Sequence, residues 1–255
     1  MIFVNIQDYF ELRRGTIPLI FSVPHGGTTN FEIIPDRING IHGVDKETVR
    51  LTFDLIEEIR KCSNLKSKDN LMPSYIISKI KRVKIDFNRK ETEAFYSKSN
   101  LAREIYQYYH NKILELISYN LKKFNRSLLI DIHGFEKRKR PEGFRDVELV
   151  LGTNNLESMF PEKLPKKDWG KNFRGKIIRK FNDLTIPIAP GHHTRKEYAL
   201  TGGYIIQKYG ASRIKNSQAI QIEFSDNVRL YDALLREKTL KSLAQLFFEE
   251  FSLTD

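Results

Sequence analysis

The feature that most constrains the fold is the run SLLIDIHGF at residues 127–135. Short, β-branched apolar runs that end at a glycine are typical of strands buried within a parallel sheet. Asp131 and His133 lie two positions apart and therefore share one face of the predicted strand. An imidazole with a carboxylate beside it, at the end of such a strand, suits a metal ligand with an orienting partner. A buried histidine capped by an aspartate would give the same pattern, so this run alone leaves both interpretations open.

Two further apolar runs end in comparable polar residues. The run IPLIFSV at 17–23 is followed closely by His25, and QAIQI at 218–222 is followed by Glu223. Because the carboxyl ends of parallel strands lie at one edge of a sheet, we expect His25, His133 and Glu223 to meet there. Two neutral imidazoles and one carboxylate form a zinc site that leaves a fourth position open for water.

Metal-dependent hydrolysis would need two more groups at the same edge. A carboxylate that is not bound to the metal can take the proton of the attacking water. An arginine can hold a substrate carboxylate through paired hydrogen bonds. The candidates are His25 and His133 as metal ligands, Asp45 or Glu32 as the third ligand, Glu223 as the base and Arg89 as the carboxylate clamp. The histidines are 108 positions apart, so they form no compact zinc motif such as HExxH.

The remaining segments alternate between helical and extended patterns, which favours an α/β fold. Helices are predicted from Asp45 onward, at 97–124, 167–182 and 231–251, with a helix-like segment near 8–14. Further strands are predicted at 74–80, 83–87, 147–151 and 204–208. Asp45 would also serve as a simple helix N-cap. No shift in composition divides the chain, so we expect one domain over residues 1–255.

Two polar segments between these elements are functional candidates. On its own, Asp-Phe-Asn-Arg at 86–89 is typical of a solvated turn, in which Asp and Asn bind local backbone groups. The segment 186–204 combines three glycines with His192, His193 and Arg195, and such loops bind ligands more often than they act as spacers. The sequence leaves the role of the two adjacent histidines open.

Composition limits the remaining function classes. No apolar run reaches the roughly 18 residues of a membrane span, and the amino terminus lacks a secretory pattern, so a cytoplasmic protein is expected. The single cysteine, Cys62, excludes an internal disulfide and a cysteine-rich zinc site. A net charge of +11 favours anionic binding partners, including nucleic acid, although the sequence contains no nucleic-acid-binding motif.

Six short motifs occur in an order and spacing that resemble the N-formylglutamate amidohydrolase family. They are PHGG at 24–27, VD at 44–45, DFNR at 86–89, DIHG at 131–134, TGGY at 201–204 and QIEF at 221–224. The pattern is also remotely similar to that of the zinc carboxypeptidases and aspartoacylases. The resemblance implies a three-layer αβα sandwich with a mixed, mostly parallel sheet, a bound zinc ion, and hydrolysis of the amide of an N-acyl amino acid.

The resemblance also implies roles for individual residues. His25 and His133 match metal ligands, Asn88 and Arg89 match the pair that binds the substrate carboxylate, and Glu223 matches the base. Arg195, Gly202 and Gly203 are added as candidate substrate-binding residues. The carboxypeptidase pattern has a glutamate three positions after its first histidine, where this chain has Thr28. Asp45 is therefore preferred as the third ligand, with Glu32 as the second choice; zinc is favoured, although other transition metals could substitute.

Two alternatives remain at this point. The same site could act on a peptide C-terminus or on an aminoacyl ester of RNA. The positive net charge is the reason for considering RNA. The chain could instead be a non-catalytic module that binds nucleic acid or protein and has kept an ancestral fold. That second alternative predicts that His25, His133 and Glu223 do not cluster.

Overall fold

The structure, a computed structural model, describes residues 5–65, 71–140 and 146–252. Its strands are β1 Phe10–Arg13, β2 Leu19–Val23, β3 Ser74–Ser78, β4 Ser127–Phe135, β5 Leu149–Gly152, β6 Ile188–Ala189 and β7 Ser217–Ser225. Its α-helices are α1 Thr48–Leu65, α2 Glu91–Ala94, α3 Asn100–Phe124, α4 Phe173–Asp183, α5 Tyr204–Tyr209 and α6 Ala233–Ser252. A π-helical turn, Asn227–Tyr231, precedes α6.

The strands form one mixed sheet in the order β1-β3-β2-β4-β7-β5-β6. β3, β2, β4 and β7 run parallel to one another, whereas β1 and β5 pair antiparallel with β3 and β7. β4 lies at the centre and pairs with β7 along its whole length. The run at 127–135 is therefore the central strand of the sheet.

Helices cover both faces of the sheet, which confirms the three-layer αβα fold. Helices α1, α4 and α6 cover one face, and alternate strand residues such as Phe21, Ile130 and Ile222 pack against them. Helices α3 and α5 cover the other face, where Ile20 and Leu129 pack. Because side chains alternate along a strand, β4 supplies apolar residues to both faces and places its polar ones on a single face.

Two predicted strands are wrong. Residues 83–87 form turns, and only Ile85 makes an isolated bridge, to Phe95. The chain turns here because the Asp86 carboxylate accepts a hydrogen bond from the backbone of Asn88. The segment 204–208 is helix α5 rather than a strand; Ile205, Ile206 and Tyr209 form its buried face at helical spacing. Packing against the sheet overrides the β-propensity of the isoleucines.

Two predicted helices also differ from the structure. The helix-like segment near 8–14 is a 3-10 turn, Ile6–Tyr9, followed by strand β1. The helix predicted at 167–182 begins later, as α4, because the Asn172 side chain accepts from the backbone N–H of Gly175 and caps it. Within the residues that the structure describes, no helix combines the length and apolarity that a membrane crossing requires.

Candidate metal centre

The polar residues of the candidate site lie at the carboxyl ends of β2, β4 and β7, which are neighbours in the sheet. His25 follows β2 by two residues, and His133 lies near the end of β4. Glu223 of β7 is paired in register with His133. All three line a cavity of about 440 Å³. The parallel topology therefore brings together the residues that the sequence predicted would meet.

Asp45 forms a cluster with the two histidines. Nδ1 of His25 lies 3.1 Å from Nδ1 of His133 and 3.6 Å from Oδ2 of Asp45. Nδ1 of His133 lies 3.1 Å from the same oxygen, and all three residues are buried. A tetrahedral zinc ion with bonds of about 2.1 Å separates its ligand atoms by about 3.4 Å. The three atoms therefore have the mutual spacing of ligands on one ion.

Each histidine binds a buried carboxylate through its other nitrogen. Nε2 of His25 lies 2.7 Å from Oδ1 of Asp86, and Nε2 of His133 lies 2.8 Å from Oδ2 of Asp131. An Nε2–H that donates to the carboxylate leaves the Nδ1 lone pair facing the cluster. Two such lone pairs and an anionic oxygen repel one another unless a cation lies between them. The donor set therefore fits a divalent ion with imidazole and carboxylate ligands, such as zinc.

A buried chain of hydrogen bonds extends from His133 to helix α3. Oδ1 of Asp131 accepts from the Ser22 hydroxyl at 2.8 Å, and that hydroxyl lies 2.9 Å from the hydroxyl of Tyr109. Burial, together with the charge of Asp131, raises the pKa of Tyr109 well above its ordinary value. The phenol therefore stays neutral and can act as a donor. This chain fixes the orientation of Asp131 and, through it, that of His133.

Asp45 is held as an ionised carboxylate, not as a helix cap. Thr48 donates its backbone N–H and its hydroxyl to the carbonyl of Asp45, which leaves the carboxylate free to face the cluster. Burial would raise the pKa of Asp45, but the adjacent side chains of His133 and His25 hold it well below its ordinary value. Glu32, the second choice for this role, is exposed and lies outside the cluster.

Glu223 is buried and is held on both of its carboxylate oxygens. Oε1 accepts from the side chain of Gln221 at 2.9 Å, and Oε2 accepts from Nη2 of Arg140 at 2.9 Å. Glu223 is not part of the three-residue cluster, although it lines the same cavity. This arrangement suits a carboxylate that acts on a molecule in the cavity rather than on the metal.

Asn88 and Arg89 both line the cavity but in different ways. Nδ2 of Asn88 lies 3.0 Å from Nε2 of His133, while its Oδ1 accepts from the backbone of Ile205. Asn88 thus lies between His133 and helix α5, and its hydrogen bond from Ile205 fixes it to that helix. The side chain of Arg89 is 50% exposed, and its shortest contact with a carboxylate of the described residues is 4.0 Å, to Asp86.

Three other basic side chains that line the cavity are paired with carboxylates, and Arg229 is buried and donates to backbone carbonyls. Nε of Arg82 lies 2.9 Å from Asp86, and the ammonium of Lys139 lies 2.8 Å from Glu136. Arg140 is bound to Glu223, as described above. Arg89 is half exposed and has no short ion pair with the described residues, so a substrate carboxylate can bind its guanidinium without displacing another carboxylate.

The TGGY segment reaches the cavity through its glycines. The backbone N–H of Gly203 donates to the side chain of Gln221 at 2.6 Å, and Gly202 has a φ of +110°, which favours glycine. A Cβ on Gly203 would lie 2.2 Å from Nδ2 of Asn88, so only glycine fits there. Both glycines line the cavity, as a substrate-binding role would require.

The structure does not bring Arg195, His192 or His193 to this cavity. The side chain of Arg195 is exposed, its backbone carbonyl accepts from Arg174, and it is not among the described residues that line the cavity. His192 is exposed and contacts Thr194 and His193. The contact between Arg195 and the substrate carboxylate stays a prediction, which this placement does not support.

Sequence reasoning missed several residues of the site. Asp86 was assigned to a solvated turn but is fully buried against His25, and its pKa lies below its ordinary value. Burial opposes that shift, and the contacts with His25 and Arg82 outweigh it. Arg140 and Arg229 also line the cavity. The signal for Asp86 was its position in the DFNR motif, whereas the two arginines carry no distinctive local pattern.

Comparison with known proteins gives a result for the fold but none for the sequence. The sequence matches no family model, and no curated protein matches it. The structure matches the crystal structure of an N-formylglutamate amidohydrolase from Ralstonia eutropha JMP134 with a TM-score of 0.62 and 13% identity. The match covers 94% of this chain and 96% of that one. This chain has the fold of an N-formylglutamate amidohydrolase.

Two other solved structures are similar. A gene product from Agrobacterium tumefaciens matches with a TM-score of 0.57 and 12% identity, over 96% of this chain and 92% of that one. A bacteriophage poly-gamma-glutamate hydrolase matches with a TM-score of 0.48 and 13% identity, over 96% of this chain and 90% of that one. The resemblance drawn from the six sequence motifs is confirmed at the level of the fold.

Proposed function

We propose that this chain is a metal-dependent amidohydrolase that cleaves the amide bond of an N-acyl amino acid. The observation that carries the proposal is the buried cluster of His25, Asp45 and His133, whose ligand atoms all lie within 4.8 Å of one another. The carboxylates of Asp86 and Asp131 behind the two imidazoles support it, because zinc-binding histidines commonly have such partners. Clustering of this kind counts against a non-catalytic module that merely kept the fold.

The chain supplies groups for each step of amide hydrolysis. A divalent ion at the cluster would polarise the acyl carbonyl and lower the pKa of a water molecule. Glu223 then accepts the proton of the attacking water and delivers it to the leaving nitrogen. The side chains of Gln221 and Arg140 hold the Glu223 carboxylate in the cavity while it does so.

Arg89 holds the carboxylate of the substrate. Its guanidinium is half exposed at the cavity and lacks the close carboxylate partner that Arg82 and Arg140 have. Paired hydrogen bonds from one guanidinium to a carboxylate fix both the position and the orientation of the substrate. The shared fold with an N-formylglutamate amidohydrolase supports N-formyl-L-glutamate as the first substrate to examine.

Elemental analysis combined with a substrate screen tests the proposal. Protein purified without a histidine tag is expected to contain about one zinc or other transition-metal ion per chain. The same preparation is expected to release free amino acid from members of an N-formyl and N-acetyl amino acid series. His133→Ala should lose the metal, whereas Glu223→Gln should keep the metal and lose turnover.

Two outcomes would contradict the proposal. A metal-free wild-type protein that takes up no zinc on titration would remove the metal centre. Normal turnover by Glu223→Gln would remove Glu223 as the base while leaving the metal centre intact. Glu32→Gln is a matched control, because Glu32 is exposed and outside the cluster, and it should keep both metal and activity.

A further inference from the structure

A second cavity adjoins the metal site. Its volume is about 450 Å³, and Arg89 and Ile41 line both this cavity and the one that contains the metal cluster. The two cavities therefore share a wall at the residue that is proposed to hold the substrate carboxylate. We call the second cavity the Phe95 pocket, and its walls come from residues 37–41 and 89–97.

The walls of the Phe95 pocket are largely apolar. Phe95 is buried and Tyr96 is half-buried, and both lie on the α2 side of the pocket. On the opposite side, Ile38 and Ile41 are 76% and 57% exposed. Branched apolar side chains exposed at the mouth of a cavity gain free energy when a ligand covers them.

The charged groups of the Phe95 pocket disfavour an acidic ligand. The guanidinium of Arg37 is buried, and each of its three nitrogens donates to a backbone carbonyl, those of Arg82, Asn39 and Ile41. Of the described residues that line this pocket, Glu93 alone carries a carboxylate, and that carboxylate would repel a second one. Among the described residues that line the pocket, Arg89 and Arg37 are the cations, and Arg37 is buried against backbone carbonyls.

We propose that the Phe95 pocket binds the apolar or aromatic side chain of the amino acid whose carboxylate Arg89 holds. In an N-acyl amino acid, the carboxylate, the acylated nitrogen and the side chain are all bonded to the same carbon atom, Cα. A carboxylate held at the shared wall therefore directs the amide toward the metal cluster and the side chain into the adjoining pocket. The inference rests on the proposed function and names the substrate class as N-acyl derivatives of apolar or aromatic amino acids.

Binding measurements test the inference separately from catalysis. Calorimetry on the zinc-loaded Glu223→Gln protein would compare N-formyl-L-leucine, N-formyl-L-phenylalanine, N-formyl-L-glutamate and N-formylglycine. Burial of an apolar side chain predicts that the leucine and phenylalanine compounds bind about tenfold or more tightly than the glycine compound. The glutamate compound should bind no better than the glycine compound.

Two neighbouring positions provide a matched pair of variants. Ser97 lines the Phe95 pocket and Lys98 does not, although both are exposed. Ser97→Trp fills the pocket and should reduce the preference for leucine over glycine toward unity. Lys98→Trp adds the same bulk outside the pocket and should keep the wild-type preference.

The outcomes separate this inference from the proposed function. Hydrolysis of N-formylglycine and N-formyl-L-leucine at equal efficiency, with equal affinities, would overturn the Phe95 pocket and leave the proposed function standing. Tightest binding of N-formyl-L-glutamate would likewise overturn the pocket alone. Neither binding nor hydrolysis for any member of the series would overturn both proposals.

Discussion

The guanidinium of Arg229 occupies the space that a side chain on Gly134 would need. A Cβ on Gly134 would lie 2.4 Å from Nε of Arg229. From this position the buried Arg229 donates to the backbone carbonyls of Phe224, Phe135 and Lys46. Phe224 directly follows Glu223, and Lys46 directly follows Asp45. Phe135 lies two positions after His133. One cation thus holds together the three chain segments that carry the site.

Gly134→Ala is expected to displace Arg229 and loosen the metal site. Overpacking of this kind costs about 1 to 3 kcal/mol of unfolding free energy, and zinc affinity should fall with it. Gly43→Ala is the matched control, because a Cβ on Gly43 would meet nothing within 4 Å. Urea unfolding and zinc titration against a chromogenic chelator measure both quantities. Equal losses in the two variants would show that Arg229 does not position the site.

The carboxylate of Asp131 is expected to control metal affinity without touching the metal. Asp131→Asn removes the charge that orients His133, and loss of such a partner typically lowers metal affinity by about 10- to 100-fold. Ser22→Ala removes the hydrogen bond to the other oxygen of Asp131 and the contact with Tyr109, but it keeps the Asp131 charge and should have a smaller effect. Chelator competition gives both affinities. An unchanged zinc affinity in Asp131→Asn would mean that packing alone orients the imidazole.

His110 is a buried histidine that the proposed chemistry does not use. It lies among Tyr106, Tyr109, Tyr204 and Tyr209, and its Nδ1 is 2.9 Å from the hydroxyl of Tyr209. Its Nε2 has no hydrogen-bond partner among the described residues. Burial, with a smaller effect from the charge of Lys208, lowers the pKa of His110 to about 3. The folded protein therefore holds this imidazole neutral, whereas the unfolded chain protonates it below its ordinary pKa of 6.5.

Because of His110, the free energy of unfolding is expected to decrease as the pH is lowered. Between the unfolded pKa and the folded pKa the unfolded state binds one more proton, which costs about 1.4 kcal/mol per pH unit. Other titrating groups also lower the stability in acid. The test therefore compares the pH dependence of the wild-type protein with that of a His110 variant. His110→Asn retains a donor toward Tyr209 and cannot titrate. Urea unfolding from pH 6.5 to 4.5 should therefore show a shallower pH dependence for His110→Asn, and parallel curves would contradict the assignment.

The sequence was sufficient for those parts of the site that follow directly from a buried strand. His25, His133 and Glu223 lie at the ends of apolar runs, and parallel strands bring such ends together whatever the rest of the chain does. The mixed sheet and its two helical layers follow from the same runs. Local patterns, and the family resemblance based on them, therefore predicted the fold and identified the residues of the metal cluster as candidates.

The parts that were missed depend on the path of the chain between the elements. Asp86 reaches His25 because its turn is held by a hydrogen bond from its backbone N–H to the carbonyl of Ala94, which no local pattern encodes. Arg140 and Arg195 lie in similar basic loops, and only tertiary contacts bring the first to Glu223 and keep the second away.

Arg174 and Glu197 form the buried ion pair that holds the second of those loops. Nε of Arg174 lies 3.2 Å from Oε1 of Glu197, and both side chains are at most 1% exposed. Arg174 also donates to the carbonyls of His193 and Arg195, while Glu197 accepts from the backbone of Asn155. Burial raises the pKa of Glu197, although its hydrogen bonds and the charge of Arg174 limit that rise.

Arg174→Met is expected to be strongly destabilising, because it leaves the Glu197 carboxylate buried without its cation. Breaking a buried pair from one side typically costs about 3 to 5 kcal/mol. Arg179→Met, on the exposed face of the same helix α4, provides the control and should cost less than about 1 kcal/mol. Adding Glu197→Gln to Arg174→Met removes the stranded charge, so the double variant should recover part of the loss. Urea unfolding gives the three values, and an Arg174→Met protein as stable as Arg179→Met would show that the pair does not hold the loop.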